Sequence, residues 1–210
     1  MAFDRKIKLD RCLRRCWLFL LWALAVAALA LWPFIPVFFL QVHGNPSFWR
    51  KLGAYTYLIV LVEMIPVMII VITFQGFLLG QELALGSLLV SGVLLFVFGV
   101  SLNAWTAKLL GWKSLIAYSE LKRQTGPRKP VKVGPFSLVR HPTYLAHTLI
   151  FVGIFLMIEF AGTGVLALID FLSSYFLIIP LEERELAGRF GGDYRRYQKR
   201  VPKFFPVKLT

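Results

Sequence analysis

The chain has 210 residues, 58% of them apolar, with 24 Lys and Arg against 11 Asp and Glu and a formal charge of +13 at pH 7. Its apolar share exceeds the roughly 45–50% of soluble domains and is gathered in long blocks, which excludes an ordinary soluble core and points to a polytopic membrane protein. The positive charge would suit nucleic acid in a soluble protein, but here it flanks apolar runs as cytoplasmic membrane edges do, so no nucleic-acid partner is expected.

In chain order, residues 1–15 are basic, with Arg5, Lys6, Lys8, Arg11, Arg14 and Arg15. Cys12 and Cys16 are too few for a disulfide framework or a zinc site, and no metal is expected. At i and i+4 near a membrane boundary they are either lipidation sites or apolar-face residues. Residues 17–40 form the first apolar run. It is too long for a signal peptide and lacks a clean small-residue cleavage site, so it reads as a transmembrane helix bent near Pro33 and Pro36. Residues 41–53 read as a polar loop with His43, Asn45, Arg50 and Lys51. The second span, 54–79, carries Glu63 and Pro66. An ionisable residue inside an apolar span is costly, so Glu63 either lines a lipid route or pairs with another helix. In the third span, 85–110, Gly86, Gly92 and Gly99 suit close helix packing.

A long basic loop, 111–140, precedes the fourth span at 143–160. Residues 161–164 (AGTG) read as a tight turn, and 165–181 as the fifth span. In the tail, Leu186, Phe190, Tyr194, Tyr197 and Val201 recur at three- and four-residue steps. This predicts an amphipathic helix on the membrane surface, interrupted at Gly191 and Gly192. The expected fold is all-α: a polytopic membrane helical bundle of about five transmembrane segments, with a C-terminal helical hairpin and an interfacial tail helix. It divides into an N-terminal transmembrane part, 1–110, and a half that carries the chemistry, 111–210.

Lys and Arg number 6 before the first span, 2 in 41–53, none in 80–83, 8 in 108–140, none in 161–164 and 8 in the tail. The basic loop and the tail are therefore expected on one side, the cytoplasm. Three full spans would place the basic N-terminus on the other side. Either the charge rule fails there, or one early segment does not cross.

The stretch most able to carry chemistry is 128–144, RKPVKVGPFSLVRHPTY. It ends in Arg140, His141, Pro142, Thr143 and Tyr144 at the mouth of an apolar helix. Arg, His and Tyr bind anions, donate hydrogen bonds and move protons. Pro142 pushes His141 toward extended backbone and suits the first helical turn, whose amides favour an anionic ligand group.

Residues 134–144 (GPFSLVRHPTY), the apolar hairpin, Glu182 and Glu183, and the later run of Phe190, Gly191, Tyr194, Tyr197, Val201, Pro202 and Pro206 together resemble the isoprenylcysteine carboxyl methyltransferase and phospholipid methyltransferase group. The resemblance covers about 108–208. It implies an integral membrane, multi-pass enzyme that transfers a methyl group from S-adenosylmethionine to a lipophilic acceptor, with the site facing the cytoplasm. By position, it implies that Lys129, Pro130, Val131 and Phe136 line a cofactor cleft. His141, Pro142, Thr143 and Tyr144 would contact the cofactor, and Glu182 would take its ammonium group. Arg140 and His141 are the candidates for a catalytic role. Ala146 stands where the pattern often has Gly, and no general base is fixed by it. The partners implied are a lipophilic substrate and membrane lipids.

Plainer readings stand beside these. Arg140 would serve as a membrane-edge anchor, His141 and Tyr144 as interfacial belt residues, and Glu182 as a solvated charge. His147 either lines the pocket or hydrogen-bonds inside the bundle, and Tyr194 and Tyr197 are as well suited to packing as to a site. Glu185, one turn beyond Glu182, is expected to matter little for cofactor affinity. Two other classes compete: an NADPH-dependent sterol-type membrane reductase, and a non-catalytic transporter or scaffold. Thr143 before Tyr144, and Ala146 and His147 after it, favour methyl transfer over the reductase. Transporter sites lie at mid-membrane, whereas these polar groups gather at one face.

Overall fold

A computed structural model describes residues 16, 19–32, 34–81, 83, 88–111 and 129–205. The basic N-terminus with Cys12, the bend at Pro33, Gly86, most of the basic loop and Pro206 lie outside the described residues. Among those described, the regular elements are helical and there is no β-strand, in line with the all-α expectation. Phe19–Gly44, Tyr55–Leu78, Leu89–Leu110 and Ala161–Phe190 are long and apolar enough to cross a membrane. Pro142–Ile158 is apolar and shorter; its 17 residues extend about 25 Å at about 1.5 Å per residue, close to the hydrocarbon thickness of a bilayer.

The last part of the first span is helix α1, Phe34–Gly44. The residues expected as a polar loop are largely helical. Asn45 caps α2, Pro46–Leu52, by accepting from the Phe48 amide at 3.3 Å, and Pro46 occupies the first turn. Helix α3 is Tyr55–Leu78 and continues through Pro66; α4 is Leu89–Leu110 and α5 is Pro142–Ile158. The hairpin reverses at Glu159, whose φ of 52° is left-handed, and at Phe160. Residues 161–164, expected as the turn, are instead the first turn of α6, Ala161–Ser173. The chain continues without a break through a wide π turn, Ser174–Ile178, into α7, Ile179–Phe190. Glu182 therefore sits inside a continuous helix that began in the apolar span. Gly191, at φ 57°, breaks it, and α8, Gly192–Arg200, follows. The interruption expected at the glycine pair is there.

Helices α4 and α5 touch through their backbones. A Cβ added at Gly153 would lie 2.7 Å from the Phe96 amide nitrogen, one at Gly92 2.8 Å from the Gly153 carbonyl, and one at Gly99 2.9 Å from the Ala146 carbonyl. With no hydrophobic force between helices in lipid, such close approach is what holds them together. Asp170 of α6, 2% exposed, joins the first span to the hairpin. Its Oδ1 accepts from Trp32 Nε1 at 2.7 Å and its Oδ2 from Thr148 Oγ1 at 2.9 Å. Around it pack Leu29, Phe151, Ile154 and Leu166.

One pole of the bundle gathers residues near 44, 110, 142 and 182. At the other, Leu83 N donates to the Glu159 carbonyl at 2.7 Å. The first span ends at the 142/182 pole, beside the cavity that Phe39 helps to line. Glu63 is exposed on α3 and accepts from Gln41 Nε2 at 2.5 Å, which is the helix-pairing reading of that residue.

The α4–α5 contact leads to a stability prediction. Gly153→Ala should destabilise the detergent-solubilised protein by about 1–3 kcal/mol through overpacking. Gly76→Ala, where nothing lies within 4 Å of an added Cβ, should leave the melting temperature unchanged or slightly raised. Equal melting temperatures for the two variants would show that the backbones do not approach as described.

Candidate functional site

The site begins with two adjacent carboxylates at the end of a membrane helix. Glu182 and Glu183 sit in the first turns of α7, opposite the Arg140–His141 pair that enters α5. His141 Nε2 lies 3.0 Å from Glu183 Oε1, and its Nδ1 lies 3.4 Å from Glu182 Oε2. Arg140 Nε donates to the same Glu183 oxygen at 2.8 Å. The rest of the Arg140 guanidinium reaches the tail, where Nη1 donates to the carbonyls of Gln198 at 2.8 Å and Val201 at 2.7 Å.

The backbone repeats this link. Arg140 N donates to the Pro202 carbonyl at 2.9 Å, and His141 N to that of Lys203 at 3.3 Å. Phe204, 1% exposed, then packs against Tyr144, Ile178 and Ile179. The Tyr197 hydroxyl donates to the Phe136 carbonyl at 2.5 Å, fixing the short 3₁₀ turn Gly134–Ser137 beneath α8. The tail is thus bolted across the mouth of α5 by one guanidinium, two amides and one phenol.

Between these parts lies a cavity open to one side, where α1, α5, α7 and α8 meet. Of the residues singled out in the sequence, Pro130, Val131, Phe136, Arg140, His141, Thr143, Tyr144 and Glu182 line it. Lys129 is exposed outside the lining, and Pro142 is buried in the first turn of α5. Arg140 lines the cavity with Nε and Nη1 already engaged by Glu183 and the tail carbonyls. Tyr194 and Tyr197 are both buried and both line the cavity. Phe39, Leu110, Leu186, Arg189 and Phe190 line it too, and Glu183 supports it from behind. Position 183 carried a signal, as half of an acidic pair facing two cations; Phe39 and Leu110 carried none beyond apolarity.

Two buried polar atoms of the lining have no hydrogen-bond partner among the described residues: Glu182 Oε2 and the Tyr194 hydroxyl. His147 Nδ1 is a third such atom, one turn below Tyr144 and outside the lining. Burial disfavours charge on His141, but Glu182 and Glu183 outweigh it and hold its pKa above the ordinary value. Burial, reinforced by the carboxylates, pushes the Tyr194 hydroxyl upward; burial, helped by Glu183 and opposed by Arg140, raises that of Tyr197. The carboxylate pair thus favours the charged form of His141, while both phenols are held in their neutral form.

Glu185, one turn beyond Glu182, is paired through both carboxylate oxygens. Its Oε1 accepts from Arg50 at 2.6 Å, and its Oε2 lies 2.9 Å from His43 Nδ1. Among the described residues, no group of three or more His, Cys, Asp or Glu is placed to hold a metal ion.

Residues 87–193, just over half of the chain, match the family model described as phospholipid methyltransferase. Over 77 residues the chain is 43% identical to the cobalt-zinc-cadmium resistance protein CzcN of Cupriavidus metallidurans, covering 36% of this chain and 35% of that one. The chain thus spans about a third of that relative's length. No solved structure matches.

The His141 cluster has a pH consequence. A histidine whose folded pKa is raised adds stability fully below its unfolded value, near 6.5, and loses it as pH rises through the folded value. The melting temperature in detergent should therefore decline as pH climbs above about 6.5, and His141→Gln should flatten that decline. An identical slope in both proteins would mean that His141 carries no charge in the folded state.

Proposed function

The chain belongs to the phospholipid methyltransferase family, and on that premise we propose that it transfers a methyl group from S-adenosylmethionine to a lipophilic acceptor drawn from the bilayer. The observation that carries the reading is Glu182 at the wall of the cavity, whose buried Oε2 lies 3.4 Å from the His141 ring and makes no closer hydrogen bond. The cofactor has an ammonium, a carboxylate and a sulfonium. Glu182 would hold the ammonium, and the first-turn amides of α5 suit the carboxylate. The donor set fits the group.

When bound, S-adenosylmethionine supplies an activated methyl group. The remaining work falls to the chain. His141, neutralised by its two carboxylates, keeps the mouth of α5 tied to α7. Arg140 keeps the tail across the cavity, and Tyr144, Phe136 and Phe190 limit water around the reacting groups. An ionised acceptor needs no proton removed, whereas an amine or thiol loses one at some stage. The family match favours methyl transfer over the NADPH-dependent reductase. With 8 Lys and Arg in 108–140 and 8 in the tail, the site is read as facing the cytoplasm.

Glu182→Gln tests the reading. Loss of a charge-assisted contact worth roughly 1.5–3 kcal/mol should weaken S-adenosylhomocysteine binding about 10- to 150-fold by calorimetry. The melting temperature should also drop, because His141 loses one of its two counter-charges. Asp193→Asn, at an exposed pair with Arg196, is the control and should bind like the parent. Coincident titrations for all three proteins would remove Glu182 from the site, and binding of NADPH in place of S-adenosylhomocysteine would favour the reductase.

A further inference from the structure

The cavity has a wall that the family match does not reach. Phe39 belongs to α1, far upstream of the matched residues 87–193. It lies five residues before the end of its helix, about 7–8 Å into the span at about 1.5 Å per residue. Its ring meets Tyr144 edge-on, with centroids 5.8 Å apart, and Leu40 beside it is 39% exposed on the outer surface of the same helix. Residues 39 and 40 thus stand at a rim, one facing the cavity and the other facing outward into the apolar surround.

What holds that rim is ionic. The His43 ring stacks on Phe39 from the next turn, at 5.8 Å and 12°. His43 Nδ1 lies 2.9 Å from Glu185 Oε2, with side chains 3% and 13% exposed, and Arg50 Nη2 lies 2.6 Å from Glu185 Oε1. Both carboxylate oxygens of Glu185 are taken, one by α1 and one by α2. The clasp ties the end of the first span to α7, one turn from Glu182, and next to Leu186 of the lining. A charge network this far buried is costly unless fully paired, so removing one member disturbs the others.

We infer that Phe39 is a specificity-determining residue: it walls the cavity on the bilayer side, where the apolar part of an acceptor passes, and the His43–Glu185–Arg50 clasp holds it there. The inference rests on the methyl-transfer reading above. The polar cofactor groups are accounted for by Glu182 and the mouth of α5, which leaves the apolar rim at Phe39 to the acceptor. Glu185 and Arg50 are positioning residues, acting through α1.

The test uses the full chain in detergent, tritiated S-adenosylmethionine and a membrane lipid extract, with labelled products separated by chromatography. Phe39→Ala and Phe39→Trp should change the ratio among labelled lipids differing in apolar tail by at least about fivefold, the scale of discrimination in an apolar pocket. S-adenosylhomocysteine affinity should stay within about twofold of the parent. Glu185→Gln should shift the ratio in the same direction as Phe39→Ala, and Glu185→Asp should restore much of the parent pattern. An unchanged ratio in both Phe39 variants, or a loss of S-adenosylhomocysteine affinity as large as the loss of transfer, overturns the inference. A parent that binds S-adenosylhomocysteine yet labels no lipid overturns it as well, leaving cofactor binding intact. A parent that binds no S-adenosylhomocysteine overturns the functional reading itself.

Discussion

Two glutamates side by side at the end of a membrane helix are an electrostatic burden, and the site is arranged around discharging it. Like charges at neighbouring positions repel, and a carboxylate leaving water without a partner costs several kcal/mol. Glu183 is met by both Arg140 and His141. Glu182 is met less closely, by His141 at 3.4 Å and by a hydrogen bond from Tyr144. Because Arg140 and His141 adjoin Pro142, satisfying the carboxylates also fixes where α5 begins. The remaining Arg140 donors then draw in the tail. One ionic requirement thereby sets the helix ends, the closure of the tail and the position of the cavity.

The asymmetry between the two glutamates divides their work. Glu183 has its charge spent on structure. Glu182 is paired more loosely, its Oε2 lying 3.4 Å from the His141 ring with no closer hydrogen bond, and it is the one of the two at the cavity wall. A site of equal, fully paired glutamates would be more stable and would offer a ligand nothing.

Much of this was legible in the sequence, and the parts that were not share a cause. Long apolar runs announce spans whatever they touch, because length and hydropathy are local. The motif from Arg140 to Tyr144 and the Glu182–Glu183 pair were legible because polar groups at a helix mouth stand out against an apolar background. The turn after α5 was misplaced by two residues because small residues suit both a turn and the first turn of a tightly packed helix; tertiary contact decided, and Glu159 took the left-handed position. The helix at Pro46–Leu52 was hidden by its polarity, since its charges serve contacts made elsewhere. Glu185 is the clearest case. Nothing near it in the sequence reveals Arg50, 135 residues away. Phe39 was equally silent: an apolar residue in an apolar run has no local mark that separates wall from filler.

The wide turn at Ser174–Ile178 bears on how this hairpin can vary. A π turn accommodates one more residue than an α-helical turn, and a residue added to or removed from a helix rotates every later position by about 100°. Asp170 precedes the turn and faces Trp32 in the bundle, while Glu182 and Glu183 come after it and face Arg140 and His141. The turn therefore sets the phase between Asp170 and the Glu182–Glu183 pair on one continuous helix. Lengthening or shortening between 170 and 182 would scarcely alter how far the helix reaches, yet it would turn both glutamates off their partners. The segment is a phase gauge whose tolerance is angular, so natural variation in hairpin length is to be sought at Glu159 and Phe160 or beyond Gly191, outside the interval that the two sets of contacts keep in step.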